Sequence, residues 1–140
     1  MSGAGLGGGV TLDDRPMRAR VGLVVLATDH TTEPDYARIV APQGIGVYAT
    51  RIPFANPVTA ESLAAMAPDI TAAAALILPG EALDAVVYSC TSASVAIGDA
   101  AVRAALGAGK PGARAMTPGA PSEAPDCAWA WAGHTSPGAP

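Results

Sequence analysis

Seven consecutive residues, Val21 to Ala27 (Val-Gly-Leu-Val-Val-Leu-Ala), carry no polar side chain. An uninterrupted apolar run, as opposed to an alternating one, belongs to a strand buried on both faces, which occurs where helices cover both sides of a parallel sheet. The rest of the chain must then supply partner strands and crossover helices. Two further runs fit as strands: Gly46 to Ile52 and Ala85 to Tyr88.

Helix signals fill the gaps between them. Pro34 suits a first helical turn, Glu33 and Asp35 suit its positive end, and Tyr36, Ile39 and Val40 give it an apolar face. Thr59 reads as a cap, with Glu61 in the first turn and Leu63 and Met66 turned to the sheet. Asp69 is expected to cap a second piece running to Ile77, stopped by Pro79-Gly80. After the third strand, Asp99 is expected to cap a helix whose apolar spacing is Ala101, Val102, Ala105 and Leu106, with Gly107 and Gly109 ending it. Strand and helix alternate throughout. The order predicts an α/β fold, a three-layer sandwich around a parallel sheet with right-handed crossovers, and 140 residues make one domain the default.

The ends read differently. Glycines near Met1 invite comparison with a phosphate-binding loop, but such a loop follows a strand and opens a helix, whereas these precede the first strand. Residues 1–19 are expected to be a flexible leader and residues 20–112 the α/β lobe. After Leu106 there is no Val, Ile or Leu, so no apolar fourth strand is expected beyond Lys110-Pro111-Gly112. Residues 113–140 read as an Ala/Gly/Pro-rich tail with too little apolar surface to offset the entropy of ordering it. A shifted reading frame in GC-rich DNA would leave such a composition; a natural disordered tail anchored by Trp129 and Trp131 is the alternative. Cys127 and His134 lie in this tail and receive no role.

Several function classes are excluded by composition. Charges are sparse, the net charge is −4, and no basic patch, aromatic-rich ribbon or zinc-ligand cluster appears, so neither nucleic acid nor a metal is an expected partner. No apolar stretch approaches the ~20 residues of a membrane helix, and the N-terminus lacks a basic segment followed by a hydrophobic one. A soluble, cytoplasmic protein without membrane contact is expected. Two cysteines in dissimilar surroundings make no disulfide framework.

The chemistry-bearing stretch is Asp84 to Ser94, Asp-Ala-Val-Val-Tyr-Ser-Cys-Thr-Ser-Ala-Ser. Cys90 stands where strand gives way to helix, at the sheet edge where ligands bind in open parallel sheets. A helix N-terminus there stabilises thiolate and offers backbone donors to an anion. The plainer reading is a buried cysteine acting as a small hydrophobe. Thr28 to Asp35 ends the first strand and shares that edge; it is either a site loop or a turn in which Thr32 and Asp35 satisfy backbone donors. Arg51, near the end of the second strand, could grip a carboxylate bidentately, although structural pairing is the commoner fate of such a residue.

Together, Gly22 to Asp35 and Tyr88 to Ser94 resemble the two N-terminal motifs of the aspartate/glutamate racemase superfamily, in its maleate cis-trans isomerase and arylmalonate decarboxylase branch. Within it the likeness is strongest to the racemase-like members of ectoine-utilisation gene clusters, through Ala27-Thr-Asp-His-Thr-Thr-Glu-Pro-Asp35 and Ser89-Cys-Thr-Ser-Ala-Ser94. The resemblance covers Arg20 to about Gly112.

It implies a pseudo-symmetric pair of lobes, each contributing one catalytic cysteine to a small carboxylate or amino-acid substrate held between them. Cys90 matches the first-lobe cysteine, Thr91 and Ser92 the residues that hold the substrate carboxylate, and His30 and Thr31 the first substrate loop. Maleate isomerases carry Asn where His30 stands, which argues against maleate itself. No organic cofactor or metal is implied, and a homo-oligomer is compatible with it. The expectation is an isomerase lineage represented by its N-terminal lobe only, incomplete and inactive for want of a second thiol. The alternative is a non-catalytic carboxylate-binding or regulatory module.

Overall fold

The Val21–Ala27 run forms the heart of a four-stranded parallel sheet in the computed structural model, which describes residues 17–118. The strands are β1 (Ala19–Leu26), β2 (Ile45–Ile52), β3 (Ala85–Tyr88) and β4 (Arg114–Met116), in the spatial order β2-β1-β3-β4. β1 is central: it pairs with β2 from Ala19↔Ile45 to Leu26↔Ile52 and with β3 from Val21↔Ala85 to Val24↔Tyr88. Being buried between two strands and two helical layers, it has no use for polar side chains beyond Arg20.

Alternation along the strands sends successive side chains to opposite faces. Val24, Ile52, Val86 and Tyr88 pack against Met66, Ile70, Ala73, Ala74, Val102 and Leu106. These come from the layer built of α2 (Ala60–Ala64), α3 (Ala67–Leu76), α4 (Thr91–Ile97) and α5 (Asp99–Gly109). Leu23, Val25 and Val87 face the other way and meet Tyr36 of α1 (Thr32–Val40). The α/β sandwich expected from the sequence is the observed architecture.

Local signals placed most elements correctly and missed some boundaries. Thr59 caps α2 in a capping box with Ser62, each side chain serving the other's backbone N–H at 2.9 and 3.1 Å. α3 starts at Ala67, two residues before the expected Asp69 cap, because Pro68 is preorganised for a first helical turn. Asp69 lies in that turn without capping it. Asp99 is likewise inside α5; the break from α4 falls at Gly98, whose φ of +96° few other residues adopt. The Asp99 carboxylate instead pairs with Arg103 at 2.5 Å and accepts from the Thr117 hydroxyl.

Gly109, expected to stop α5, does so at a point where α3 and α5 nearly touch. A Cβ there would stand 2.4 Å from the Thr71 carbonyl oxygen.

A fourth strand exists where none was expected. Arg114, Ala115 and Met116 pair with Ala85, Val86 and Val87, extending the sheet past residue 112. A three-residue edge strand is held by its backbone ladder and needs no β-branched run, which is why composition does not announce it. The remaining expectations for the leader and tail, including Cys127, Trp129, Trp131 and His134, concern positions outside the described residues. Among the described residues no helix is long and apolar enough to cross a membrane.

Candidate active site

The chain leaves β1 through α1 toward β2 on one side, and leaves β3 through α4 and α5 toward β4 on the other. The direction of winding therefore reverses between β1 and β3, and the carboxyl ends of those two strands flank a crevice. Such a reversal is where ligands bind in open α/β sheets. Cys90 and the loop after β1 both lie there. The ladder runs on past β3, since the Ser89 N–H donates to the Val24 carbonyl at 3.0 Å.

Cys90 is extended (φ −135°, ψ 103°) and serves as N-cap of α4, with its thiol free. Its carbonyl accepts from both the Ser94 N–H (3.0 Å) and the Ser94 hydroxyl (2.8 Å), which fixes the start of the helix from within. The residue is 9% exposed and packs in the cluster containing Tyr88, Met66 and Ala93. Thr91 and Ser92 follow in the first turn, both exposed, and neither hydroxyl is engaged in a hydrogen bond among the described residues. The first N–H groups of a helix have no carbonyl within it to receive them. Backbone donors and two unengaged hydroxyls thus stand beside one sulfur, although α4 is only seven residues long and its dipole correspondingly small.

Asp29 organises the loop after β1. Its carboxylate accepts from the N–H groups of Thr31 (3.0 Å) and Thr32 (2.9 Å) and from the Thr32 hydroxyl (2.6 Å). Burial works to raise the Asp29 carboxyl, but these hydrogen bonds and the nearby Arg51 charge outweigh it and hold the group below its ordinary value. Arg51 staples the same loop, donating to the carbonyls of Leu26 (3.0 Å) and Asp29 (2.5 Å) and pairing with Glu33. Its guanidinium is committed to the scaffold, the structural fate weighed against a carboxylate grip. Asp29, and not Asp35, supplies the turn; Asp35 pairs with Arg38 at 3.1 Å.

His30 and Thr31 are exposed at the tip of this loop. His30 Nδ1 lies 3.4 Å from the Thr28 carbonyl, and no hydrogen bond links either residue to Cys90, Thr91 or Ser92. The five expected site residues share one sheet edge as two separate groups.

A cleft of about 280 Å³ lies at that edge on the α1 side, lined by Thr32, Tyr36, Val87, Ser89 and the Met116–Pro118 stretch. Sequence reasoning had Thr32 in the loop after β1 and Tyr36 only as an apolar helix face, and missed Val87, Ser89 and the Met116–Pro118 stretch as a lining. The only available signal was alternation: Ser89 and Cys90, adjacent in an extended segment, face opposite sides, so the cleft receives the serine while the sulfur belongs to the other layer. Burial pushes the Tyr36 phenol up, keeping it a donor in the cleft. Tyr88 was also overlooked as anything but strand. It is fully buried in the same cluster as Cys90, its hydroxyl 4.0 Å from the Met66 Sδ; burial first, then Cys90, push its phenol strongly up. Among the described residues no three His, Cys, Asp or Glu side chains gather as a metal site.

No protein-family model and no curated protein sequence matches the chain. Two solved structures share its fold. One is the maleate isomerase Iso from Pseudomonas putida S16, at 24% identity and a TM-score of 0.54, covering 71% of this chain and 44% of that one. The other is a cysteine-to-alanine variant of the same enzyme with maleate, at 21% identity and a TM-score of 0.50, with the same coverage. The chain spans less than half the length of these proteins, and the likeness is one of fold.

Proposed function

We propose that this chain is a lobe of an aspartate/glutamate racemase superfamily protein that acts on a small carboxylate or amino acid through the Cys90 thiolate, without a cofactor. The observation that carries this reading is the free Cys90 at the β1/β3 winding reversal, capping α4 beside the unengaged hydroxyls of Thr91 and Ser92. The fold shared with a maleate isomerase supports it.

Two reactions suit one thiolate at such a place. It can remove the proton alpha to a carboxylate, the C–H electron pair passing into an enediolate. It can also add to a double bond conjugated with the carboxylate. A C–S bond forms, the π pair moves onto the carboxylate oxygens, the former double bond rotates, and expulsion of the thiolate restores it with changed geometry. In both, negative charge grows on the carboxylate, where the α4 N–H groups and the Thr91 and Ser92 hydroxyls would stabilise it. His30 and Thr31 would contact the far end of the substrate. Histidine at that position favours a substrate other than maleate, and ectoine or hydroxyectoine catabolism in the cytoplasm is the setting that the sequence resemblance suggests.

Cys90 is the one cysteine among the described residues, so a two-thiol racemisation would draw its second sulfur from elsewhere, such as a second copy of the chain. The second reading is a carboxylate-binding module without catalysis. Proton NMR in D₂O separates them. The catalytic reading expects the full chain to exchange the alpha proton of a small carboxylate or amino acid, or to isomerise an unsaturated dicarboxylate, and Cys90→Ser to abolish this. Binding without turnover would establish the second reading, and turnover undiminished in Cys90→Ser would remove the first.

A further inference from the structure

The cleft on the α1 side of the carboxyl edge takes no part in the chemistry proposed for Cys90, because Ser89 faces it and Cys90 belongs to the opposite layer. No charged side chain lines it. Its side-chain polarity comes from four hydroxyls, those of Thr32, Tyr36, Ser89 and Thr117, set against the apolar surfaces of Val87 and Met116. What such a lining can hold depends on where the four protons go.

Two of them are committed behind the wall. The Thr32 hydroxyl donates to the Asp29 carboxylate at 2.6 Å, and the Thr117 hydroxyl donates to the Asp99 carboxylate. Neither direction can reverse, since an ionised carboxylate only accepts: Asp29 also collects the Thr31 and Thr32 N–H groups, and Asp99 is ion-paired with Arg103. The Thr32 and Thr117 oxygens therefore meet a ligand as acceptors. The Tyr36 and Ser89 hydroxyls are uncommitted among the described residues and meet it as donors.

This set selects for charge. An anion would face the Asp29 and Asp99 carboxylates one hydroxyl behind the lining, and its acceptors would leave the Thr32 and Thr117 oxygens unmatched. An ammonium group has no acceptor for the Tyr36 and Ser89 protons, and polar groups left unmatched on binding are costly. A neutral group with one acceptor and a pair of donors satisfies all four.

We propose that this cleft is a binding site for a small, uncharged primary carboxamide. Its carbonyl oxygen accepts from Tyr36 and Ser89, its N–H groups donate to Thr32 and Thr117, and its alkyl part lies against Val87 and Met116. The space, about 280 Å³, admits a ligand of this size. The site stands whether or not Cys90 is a working thiol. The two faces of the edge then differ in what they take, an anion beside α4 and a neutral amide beside α1.

The test is amide-correlation NMR of the nitrogen-labelled full chain, titrated with isobutyramide and with three relatives of similar shape: isobutyrate, isobutylammonium and methyl isopropyl ketone. Isobutyramide is expected to shift the Thr32, Tyr36, Val87, Ser89 and Met116 amides together and saturably, with a dissociation constant on the order of millimolar for so small a ligand. The ketone, which brings no donor for Thr32 and Thr117, should bind about tenfold more weakly, and the two ions should leave these amides in place. Tyr36→Phe and Ser89→Ala should each weaken isobutyramide about fivefold; both keep the packed carbon atoms, and the same spectra report their fold. No saturable shift from isobutyramide up to about 100 mM would overturn the proposal. So would binding of either ion or the ketone at the same amides with equal affinity, or undiminished isobutyramide binding in both variants.

Discussion

The two edges of the sheet use their polar groups in opposite ways. At the amino edge, Arg20 and Lys110 are each only 7% exposed, and both are anchored. Arg20 Nη1 donates to Glu81 at 2.6 Å and its backbone N–H to Asp84 at 2.8 Å; Lys110 Nζ donates to the carbonyls of Leu78 (2.8 Å) and Glu81 (3.2 Å). Leu78 adopts a φ of +43°, strained for a branched side chain, and the lysine holds its carbonyl there. At the carboxyl edge, Thr91, Ser92, His30 and Thr31 are exposed, and among the described residues none of their side chains has a partner beyond the long His30 to Thr28 contact. One edge holds its buried cations against acceptors to close the fold, although the Arg20 Nε is left without a partner among the described residues, and the other leaves exposed hydroxyls unengaged, two of them beside a thiol. Strain and buried charge, often read as functional signs, here mark the structural edge.

Substitution at the two edges should separate stability from binding. The largest effect is expected at the amino edge: Lys110→Met leaves two carbonyls without their donor and should cost about 2–3 kcal/mol in urea unfolding, with carboxylate binding per folded molecule unchanged. A smaller loss, about 0.5–1 kcal/mol, is expected for Arg51→Met, because that guanidinium is partly solvated. Hydrogen exchange at the Thr31 and Thr32 amides should quicken in this variant, since Arg51 belongs to the scaffold of the site loop. If Arg51→Met instead abolished ligand binding with the loop intact, the arginine would be a site residue and the contrast between scaffold and site at this edge would blur.

Acidification probes the same loop through Asp29. Its folded carboxyl lies below the ordinary value of 3.8, so its contribution is fully present above that pH and is lost as pH falls through 3.8 toward the folded value. Protection of the Thr31 and Thr32 amides should fall in that window and be independent of pH there in Asp29→Asn. Smallest of all in stability are Thr91→Ala and Ser92→Ala, each expected within about 0.5 kcal/mol of wild type. Their effect should appear in carboxylate affinity alone, and a large stability loss in either would break the distinction between the two edges.

The same contrast explains what the sequence reveals. Burial writes itself in residue type, so the apolar runs of β1 and β3 and the helices between them were legible, as was the sheet edge that Cys90 shares with the loop after β1. The β4 ladder was not, because Arg114–Met116 contributes mainly backbone hydrogen bonds. The starts of α3 and α5 were set by Pro68 and Gly98, while the nearby aspartates looked like better caps. Asp29 and Asp35 are equally plausible turn residues on paper; only the path of the loop decides between them. Tyr88 and Ser89 were visible as letters but not as neighbours of a site, since their relevance depends on which face of the sheet each side chain meets.

Protection of Cys90 from iodoacetamide by a small carboxylate tests the central claim most directly. The Cys90 peptide of the full chain would be followed with and without a series of two- to five-carbon mono- and dicarboxylates. At least one is expected to slow labelling of Cys90 in a saturable way and leave Cys127 unaffected, with protection lost in Thr91→Ala or Ser92→Ala. If Cys90 labels at the same rate with every carboxylate up to millimolar concentration, the carboxyl edge holds no carboxylate site and Cys90 is a core residue of α4.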